Sequence, residues 1–517
     1  MEHQFPVHRF TIRELKPGAK SSALIVREAQ RLGFKGIKAV VRSEIYFVRG
    51  NIAPEELGFL GRFLLSDPVT QTFELHTLPE SPKGKGSVVE VTYHPGVTDP
   101  VADEILRSGK ELGIQGIEAA STGIRYEIDG EAGFSIEAAA LDRLAARLLA
   151  NPVVQRWALG TVEPAFPGSS AEVPPEEWIP VNTMSEAELA ELNRQRRAAL
   201  DPQELAAIRD YFAARGRACS DVEFEMIAQT WSEHCYHKTF KAIIDVEKAE
   251  AGDLPSRVDN ILKTYIKAAT DEIGAPWVIS AFKDNAGIIE FDKDFDLSFK
   301  VETHNHPSAI EPFGGANTGV GGVIRDVMAV SARPFAVTDV LCFGIPGRGE
   351  GSSALSVEQI RSGVVAGVQD YGNKMGIPTL NGSIHYHEKY AANPLVYCGC
   401  AGIAPRGAFF SDPREGDRIL VLGGRTGRDG IRGATFSSMT MDGSTLETAG
   451  ASVQIGAPLV EKKLSELILA ARDAGLYTGI TDCGAGGLSS AVGEMASELG
   501  ADVELSEVRL KYPGLAP

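Results

Sequence analysis

The sequence predicts a multidomain protein of mixed α+β and α/β class. Three observations predict it: a repeat of roughly 80 residues that opens the chain, a Pro-rich and then Ala/Glu-rich middle, and glycine-rich turns between apolar strands and amphipathic helices beyond Ala242. With 517 residues, 43% of them hydrophobic and 23% charged, the chain has globular composition and enough length for three or four domains. Such domains bury cores without disulfide help.

The repeat is read from three paired signals. Lys16-Pro17-Gly18 recurs as His94-Pro95-Gly96, Leu32-Gly33-Phe34-Lys35-Gly36-Ile37 as Leu112-Gly113-Ile114-Gln115-Gly116-Ile117, and Leu64-Leu65-Ser66-Asp67-Pro68-Val69 as Leu148-Leu149-Ala150-Asn151-Pro152-Val153. Each copy, residues 1–80 and 85–163, reads as strand, Pro-Gly turn, helix, strand, strand, helix, strand, because alternation such as Val89, Val91, Tyr93 gives way to helical spacing and returns. This is a split β-α-β module. Residues 164–240 form a linker region. Its first part holds Pro167, Pro174, Pro175 and Pro180 without periodicity, and its second part opens a helix at Ser185, with Glu188 completing a capping box. Residues 241–410 then read as one α/β or α+β unit, including an amphipathic helix over Val357–Met375. A second unit, 411–517, is predicted from the buried-strand run Arg418-Ile419-Leu420-Val421-Leu422.

Charge and cysteines narrow the function classes. A net charge of -18 argues against nucleic acid, which needs clustered Lys and Arg. The six cysteines, Cys219, Cys235, Cys342, Cys398, Cys400 and Cys483, are too scattered for a disulfide framework. Cys398 and Cys400 lack a second pair for zinc and read as buried strand residues. The chain opens Met1-Glu2-His3-Gln4 without an apolar signal segment, and no apolar stretch approaches the ~20 residues that span a bilayer. The expectation is a cytoplasmic protein, neither exported nor anchored.

Chemistry concentrates in three segments. Lys300-Val301-Glu302-Thr303-His304-Asn305-His306-Pro307-Ser308 puts a cation, a carboxylate and imidazoles at a strand end. Phe313-Gly314-Gly315-Ala316-Asn317-Thr318-Gly319-Val320-Gly321-Gly322-Val323-Ile324-Arg325-Asp326 follows, read as a glycine loop for phosphates leading to a basic and an acidic helical residue. Carboxylates such as Glu302 and Asp326 suit Mg²⁺, which takes oxygen ligands and shares phosphates. The bland alternative is glycines that only turn the chain and histidines that only satisfy buried hydrogen bonds. The density of polar groups favours the functional reading. Next, Trp231-Ser232-Glu233-His234-Cys235-Tyr236-His237-Lys238-Thr239-Phe240 places two histidines three apart, able to share a helical face for metal or proton transfer, while Cys235 beside His234 offers an activated thiolate as an alternative. Third come Gly423-Gly424-Arg425-Thr426-Gly427-Arg428-Asp429-Gly430-Ile431, Val453-Gln454-Ile455-Gly456, and Thr481-Asp482-Cys483-Gly484-Ala485-Gly486-Gly487-Leu488, where Asp482 reads as a strand-end carboxylate opening a helix.

At these residues a resemblance becomes specific. Trp-Ser-Glu-His-Cys, Val-Glu-Thr-His-Asn-His-Pro, the Gly-rich Ile-Arg-Asp segment, Gly-Gly-Arg-Thr-Gly-Arg-Asp-Gly and Asp-Cys-Gly-Ala-Gly-Gly-Leu stand in the order of the synthetase component of formylglycinamidine synthase, over roughly 185–517. The N-terminal modules resemble that family's small PurS subunit. The resemblance implies PurM-like N-terminal (241–410) and truncated C-terminal (411–517) ATP-binding domains. It implies a ligase of purine biosynthesis that joins glutamine-derived ammonia to formylglycinamide ribonucleotide, with ATP and Mg²⁺. It further implies catalytic roles for His234 and His304, the latter as proton acceptor, ATP contacts at His237 and Lys300, and metal ligands at Glu302, Asp326 and Asp482. Substrate contacts would fall at Thr303, His304, Asn305, His306, Arg325 and Gln454. The family often has Tyr at the position of His237. No glutaminase nucleophile elbow is present, so a PurQ-like glutaminase partner is expected, with the paired modules bridging to it. The family continues into a Glu-Ser-Gln motif and a second synthetase half, and the sequence stops at Pro517 short of both. The expectation is a fragment or a split subunit, completed by another chain or by homodimerisation. Two other readings stand beside it: a nucleotide-binding assembly subunit without catalysis, and a related PurM-superfamily ligase.

Overall fold

The structure, a computed structural model, describes residues 5–15, 23, 25–27, 29–30, 33–80, 87–94, 97, 99–130, 136–150, 155–166, 175–247, 255–347, 355–409, 411–427, 430–438, 453–454, 456–511 and 515. The Pro-Gly turns at 17–18 and 95–96, the Asn151-Pro152-Val153 signal, residues 167–174 of the Pro-rich stretch, and Arg428, Asp429 and Ile455 lie outside these residues. The chain divides into two compact units, one running to Glu172 and one from Val173 to Lys511.

In the first unit the two repeats share one sheet. Its strands are β1 (Val7–Glu14), β2 (Ile37–Gly50), β3 (Gln71–Thr77), β4 (Ser87–Tyr93), β5 (Ile117–Gly130) and β6 (Gln155–Leu159), in the order β3-β1-β2-β5-β4-β6. Where the sequence suggested two central strands per copy, there is one continuous strand of 14 residues. The reason is pairing. Arg42-Ser43-Glu44 alternates straight through the antiparallel ladder as Arg42↔Tyr126, Ser43↔Arg125, Glu44↔Ile124.

The helices α1 (Pro54–Leu60), α2 (Pro100–Glu111) and α3 (Ala138–Leu144) cover the sheet. Two cores result, and each draws on both copies. One joins Phe10, Val48 and Leu60 to Ala102, Ile105 and Ile114; the other joins Ala29, Ile37 and Val40 to Val89, Ile128 and Leu144. On the opposite face of the sheet, beside Phe47 and Val162, sits a buried charge cluster. Glu90 accepts from Arg9 at 2.6 and 3.1 Å, from Arg125, and from the backbone N–H of Val162 at 2.9 Å, with Arg9, Glu90 and Arg125 at most 1% exposed.

The second unit begins with helices α4 (Glu186–Arg196), capped by the Ser185/Glu188 box, α5 (Pro202–Ala214), α6 (Asp221–Thr230) and α7 (Glu233–Tyr236). A second six-stranded sheet follows, built from β7 (Val278–Ser280), β8 (Gly287–Glu290), β9 (Phe295–Thr303), β10 (Arg333–Phe343), β11 (Thr379–Tyr386) and β12 (Leu395–Pro405). Its order is β7-β8-β9-β12-β10-β11, antiparallel except for the β10–β11 pair. Cys398 and Cys400 lie buried on β12. One face is covered by α8 (Asn305–Ile310), α9 (Pro312–Met328) and α10 (Val357–Met375). Farther on come α11 (Gly433–Phe436), α12 (Pro458–Asp473) and α13 (Gly487–Met495).

Two expectations change here. The glycine-rich segment 313–326 is not a phosphate loop: it is helical throughout, as α9. Glycine weakens a helix by about 1 kcal/mol each relative to alanine, and of the five present Gly315, Gly319 and Gly321 stand where α9 is pressed between neighbours. A Cβ on Gly315 would meet the Ser308 nitrogen at 2.4 Å, and one on Gly321 would meet the Tyr371 ring at 2.5 Å. Likewise Arg418–Leu422 is not a buried strand. Leu420 is 77% exposed, and the flanking described residues show only isolated bridges, Ser411↔Gly479 and Thr426↔Leu510. An apolar run without a neighbouring strand has nothing to close its ladder.

Candidate active site

The site gathers around the C-terminal end of β9. Strand alternation sends Lys300 and Glu302 to the helix-covered face, in register with Cys400 and Cys398 of β12, while Thr303 is exposed at the strand end. His304 follows immediately. Its N–H donates to the Val396 carbonyl at 2.8 Å, and the next side chain, Asn305, accepts from the Val396 N–H at 2.8 Å, so the strand-to-helix corner is pinned twice. The Asn305 carbonyl oxygen is thus engaged by backbone. Ser308 closes the turn by donating to the His304 carbonyl at 2.6 Å.

Lys300 Nζ lies 3.8 Å from Glu302 and 3.3 Å from Asp326. Asp326 is buried on α9, and its carboxyl is pushed well above the usual range, first by burial and then by the charges of Asp482 and Glu302, against the pull of Lys300. Asp482 is raised too, chiefly by burial, with Arg325 opposing. Asp482 sits on an irregular stretch five residues ahead of α13, without a strand before it, and its side chain accepts from Asn285 at 3.0 Å. Arg325 donates to Glu461 at 2.9 Å and approaches Asp482 at 4.0 Å.

The imidazoles stand on the same side. Burial lowers His304 to about 4, with Glu302 opposing and with His234 and Arg325 adding to the fall; its Nδ1 is buried without a partner among the described residues. His234 is lowered by burial, Glu302 again opposing. Its backbone N–H donates to Ser438 Oγ at 3.2 Å, which ties α7 to the end of α11. His237 does not continue the helical face of His234. It caps α7 in the left-handed conformation, φ 58°, and is exposed. Cys235 is a poor thiolate: enclosing protein raises its pKa, Glu494 adds to the rise, and the Ser232 hydroxyl only partly offsets them. His306 packs edge-on against Phe436 at 5.9 Å. Gln454 reaches the site through α9, its carbonyl accepting from Thr318 at 3.1 Å, and its side chain lies against Gly430.

The structure therefore brings Lys300, Glu302, His304, Arg325, Asp326, Asp482 and His234 into one electrostatic neighbourhood, with His237 and Thr303 at its exposed margin. No three His, Cys, Asp or Glu side chains among the described residues close into a ligand shell for a metal. The donor chemistry is nevertheless that of a hard cation: oxygen-only carboxylates that repel one another and are now partly neutralised by Lys300. Four further contributors, Asn285, Tyr371, Ser438 and Glu461, carry no local motif.

Comparison with known proteins matches four segments of the chain. Residues 87–163 match the model of phosphoribosylformylglycinamidine (FGAM) synthase, PurS; 189–238 that of the formylglycinamide ribonucleotide amidotransferase linker domain; 283–404 and 414–516 those of the AIR synthase related protein N-terminal and C-terminal domains. The phosphoribosylformylglycinamidine synthase subunit PurL of Thermoplasma volcanium is 37% identical over 337 residues, 64% of this chain and 41% of that protein. Its counterpart in Picrophilus torridus is 42% identical over 323 residues, 62% and 40% respectively. Among solved structures, Thermotoga maritima PurL complexed with FGAR aligns with a TM-score of 0.48 at 35% identity, covering 61% of this chain and 45% of that one. The chain spans about two fifths of the length of the curated relatives it matches.

Proposed function

We infer the activity from membership: the chain belongs to the PurL-type phosphoribosylformylglycinamidine synthase family, and we propose that it carries the first synthetase half of an ATP-dependent ligase. The reaction converts formylglycinamide ribonucleotide and ammonia to formylglycinamidine ribonucleotide, with ATP leaving as ADP and phosphate. The observation that carries the reading is the meeting of Lys300, Asp326, Asp482 and Arg325 beside two neutral imidazoles.

An amide oxygen is a poor leaving group. ATP is consumed to convert it to a phosphate ester, after which ammonia adds to the carbon and phosphate departs. Glu302, Asp326 and Asp482 would hold Mg²⁺ together with phosphate oxygens; the ion supplies charge neutralisation for phosphoryl transfer. Lys300 adds a fixed positive charge at the same place, and His237 lies at the margin where nucleotide would enter. Arg325, Thr303, Asn305, His306 and Gln454 are assigned to the ribonucleotide. His304, neutral at pH 7, accepts a proton from the attacking nitrogen. That nitrogen becomes cationic on bond formation and gives up its proton even to a weak base, with Glu302 stabilising the imidazolium. His234 stands behind it.

Two partners follow. Ammonia requires a glutaminase, and among the described residues the sheet of the second unit presents exposed apolar side chains: Phe299 is 47% exposed, Phe335 41% and Leu380 66%. We assign that surface to a second synthetase half, on another chain or a second copy. All six cysteines are free, which suits a reducing cytoplasm. Among the described residues no helix is long and apolar enough to cross a membrane.

The test is ADP release by the assembled synthetase with Mg-ATP, ammonium and formylglycinamide ribonucleotide. His304→Ala should lower turnover by about 10²–10⁴-fold while nucleotide still binds. Unchanged turnover would overturn the assignment. Mg-ATP binding with no turnover by the unmodified assembly would leave an assembly subunit instead.

A further inference from the structure

Arg325 is held by groups that no motif in its own segment announces. The guanidinium donates through Nη1 to Glu461 on α12, 136 positions later in the chain, at 2.9 Å. The same carboxylate oxygen accepts from the hydroxyl of Tyr371 on α10. Glu461 is 6% exposed and Tyr371 1%. The backbone is shaped to admit this pair. Gly321 of α9 and Gly456 ahead of α12 line a slot for the Tyr371 ring, where an added Cβ would approach it to 2.5 and 2.7 Å. Asp482 makes a looser approach to the guanidinium, at 4.0 Å, beyond hydrogen-bond range. One carboxylate is therefore an anchor and the other only a neighbour.

An arginine has five donors in a rigid fork on a flexible stem, and fixing one edge of the fork aims the rest. Tying the stem down before ligand arrives removes ordering entropy from the binding step. Resting on the reading that Arg325 contacts the ribonucleotide, we propose that Glu461, braced by Tyr371, is a positioning residue that presents the remaining guanidinium donors to an anionic or hydroxyl group of that substrate. Because Glu461 belongs to α12 and Arg325 to α9, substrate recognition is made to depend on the packing of the two domains.

A double-mutant cycle in the assembled synthetase tests this, with formylglycinamide ribonucleotide as the probe in calorimetry and steady-state kinetics. Glu461→Gln should raise its KM by about tenfold, with kcat and the KM for ATP within about twofold. Placed on Arg325→Ala, the same change should add nothing. Tyr371→Phe, which leaves every charge in place, should shift the same KM by about threefold in the same direction and serves if Glu461→Gln does not fold. A Glu461→Gln effect that falls equally on ATP, or persists undiminished on Arg325→Ala, overturns the inference. If the unmodified protein fails to bind the ribonucleotide, the functional reading falls and takes this one with it; if it binds and both single variants bind equally well, this inference alone is refuted.

Discussion

The first unit and the second each bury charge, and they do so in opposite ways. In the first, Glu90 is enclosed by Arg9, Arg125 and the Val162 N–H, so each charge of this cluster has its counter-ion at hydrogen-bond distance. In the second, Asp326 and Asp482 crowd together with Glu302, and burial with like charge disfavours the ionised form of both aspartates. The first pattern holds strands in place. The second is electrostatically unfinished, which is what a site that must receive a charged ligand looks like.

The contrast is broken most directly at its strong end. Glu90→Ala should destabilise the first unit by about 3–5 kcal/mol, since Arg9 and Arg125 would remain buried without their carboxylate; denaturant unfolding checks this, and a loss under about 1 kcal/mol would mean that water reaches the cluster. In the second unit, removing charge should act in reverse. Asp326→Asn should raise stability by about 1 kcal/mol at pH 7, because the ionised carboxyl is disfavoured where it sits, while Mg-ATP affinity collapses. A thermal melt paired with nucleotide titration reads both. The third effect is read from pH and concerns Glu311, the half-buried cap of α9, raised to about 7 by desolvation. The folded carboxyl keeps its proton after the unfolded one has lost it, so stability should decline as pH rises from about 4.5 to about 7. Glu311→Gln should flatten that slope in melts across the range.

Much of this was legible in the sequence, and the exceptions share a cause. The helix Val357–Met375, the capped helix after Ser185 and the buried strand of Cys398 and Cys400 follow from local periodicity and caps. The repeat revealed two similar modules but not their common sheet, because strand partners are set by long-range pairing. Gly314–Gly322 looked like a loop because glycine density marks both a turn and a tightly packed helix, and only the neighbours Ser308 and Tyr371 decide between them. The run at 418–422 has the composition of a core strand and lacks a described partner to make it one. Site residues inside motifs could be named in advance; Asn285, Ser438 and Glu461 could not, because each meets its target from 136 to 204 positions away.

The shared sheet of the first unit has one more consequence. With each core assembled from both copies, neither repeat encloses a complete interior of its own. In two separate polypeptides such an arrangement would come apart on dilution; on one polypeptide the halves meet at a local concentration set by their short tether, which dilution leaves unchanged. Cutting the tether between Glu80 and Ser87 would turn a folding equilibrium indifferent to protein concentration into one governed by it.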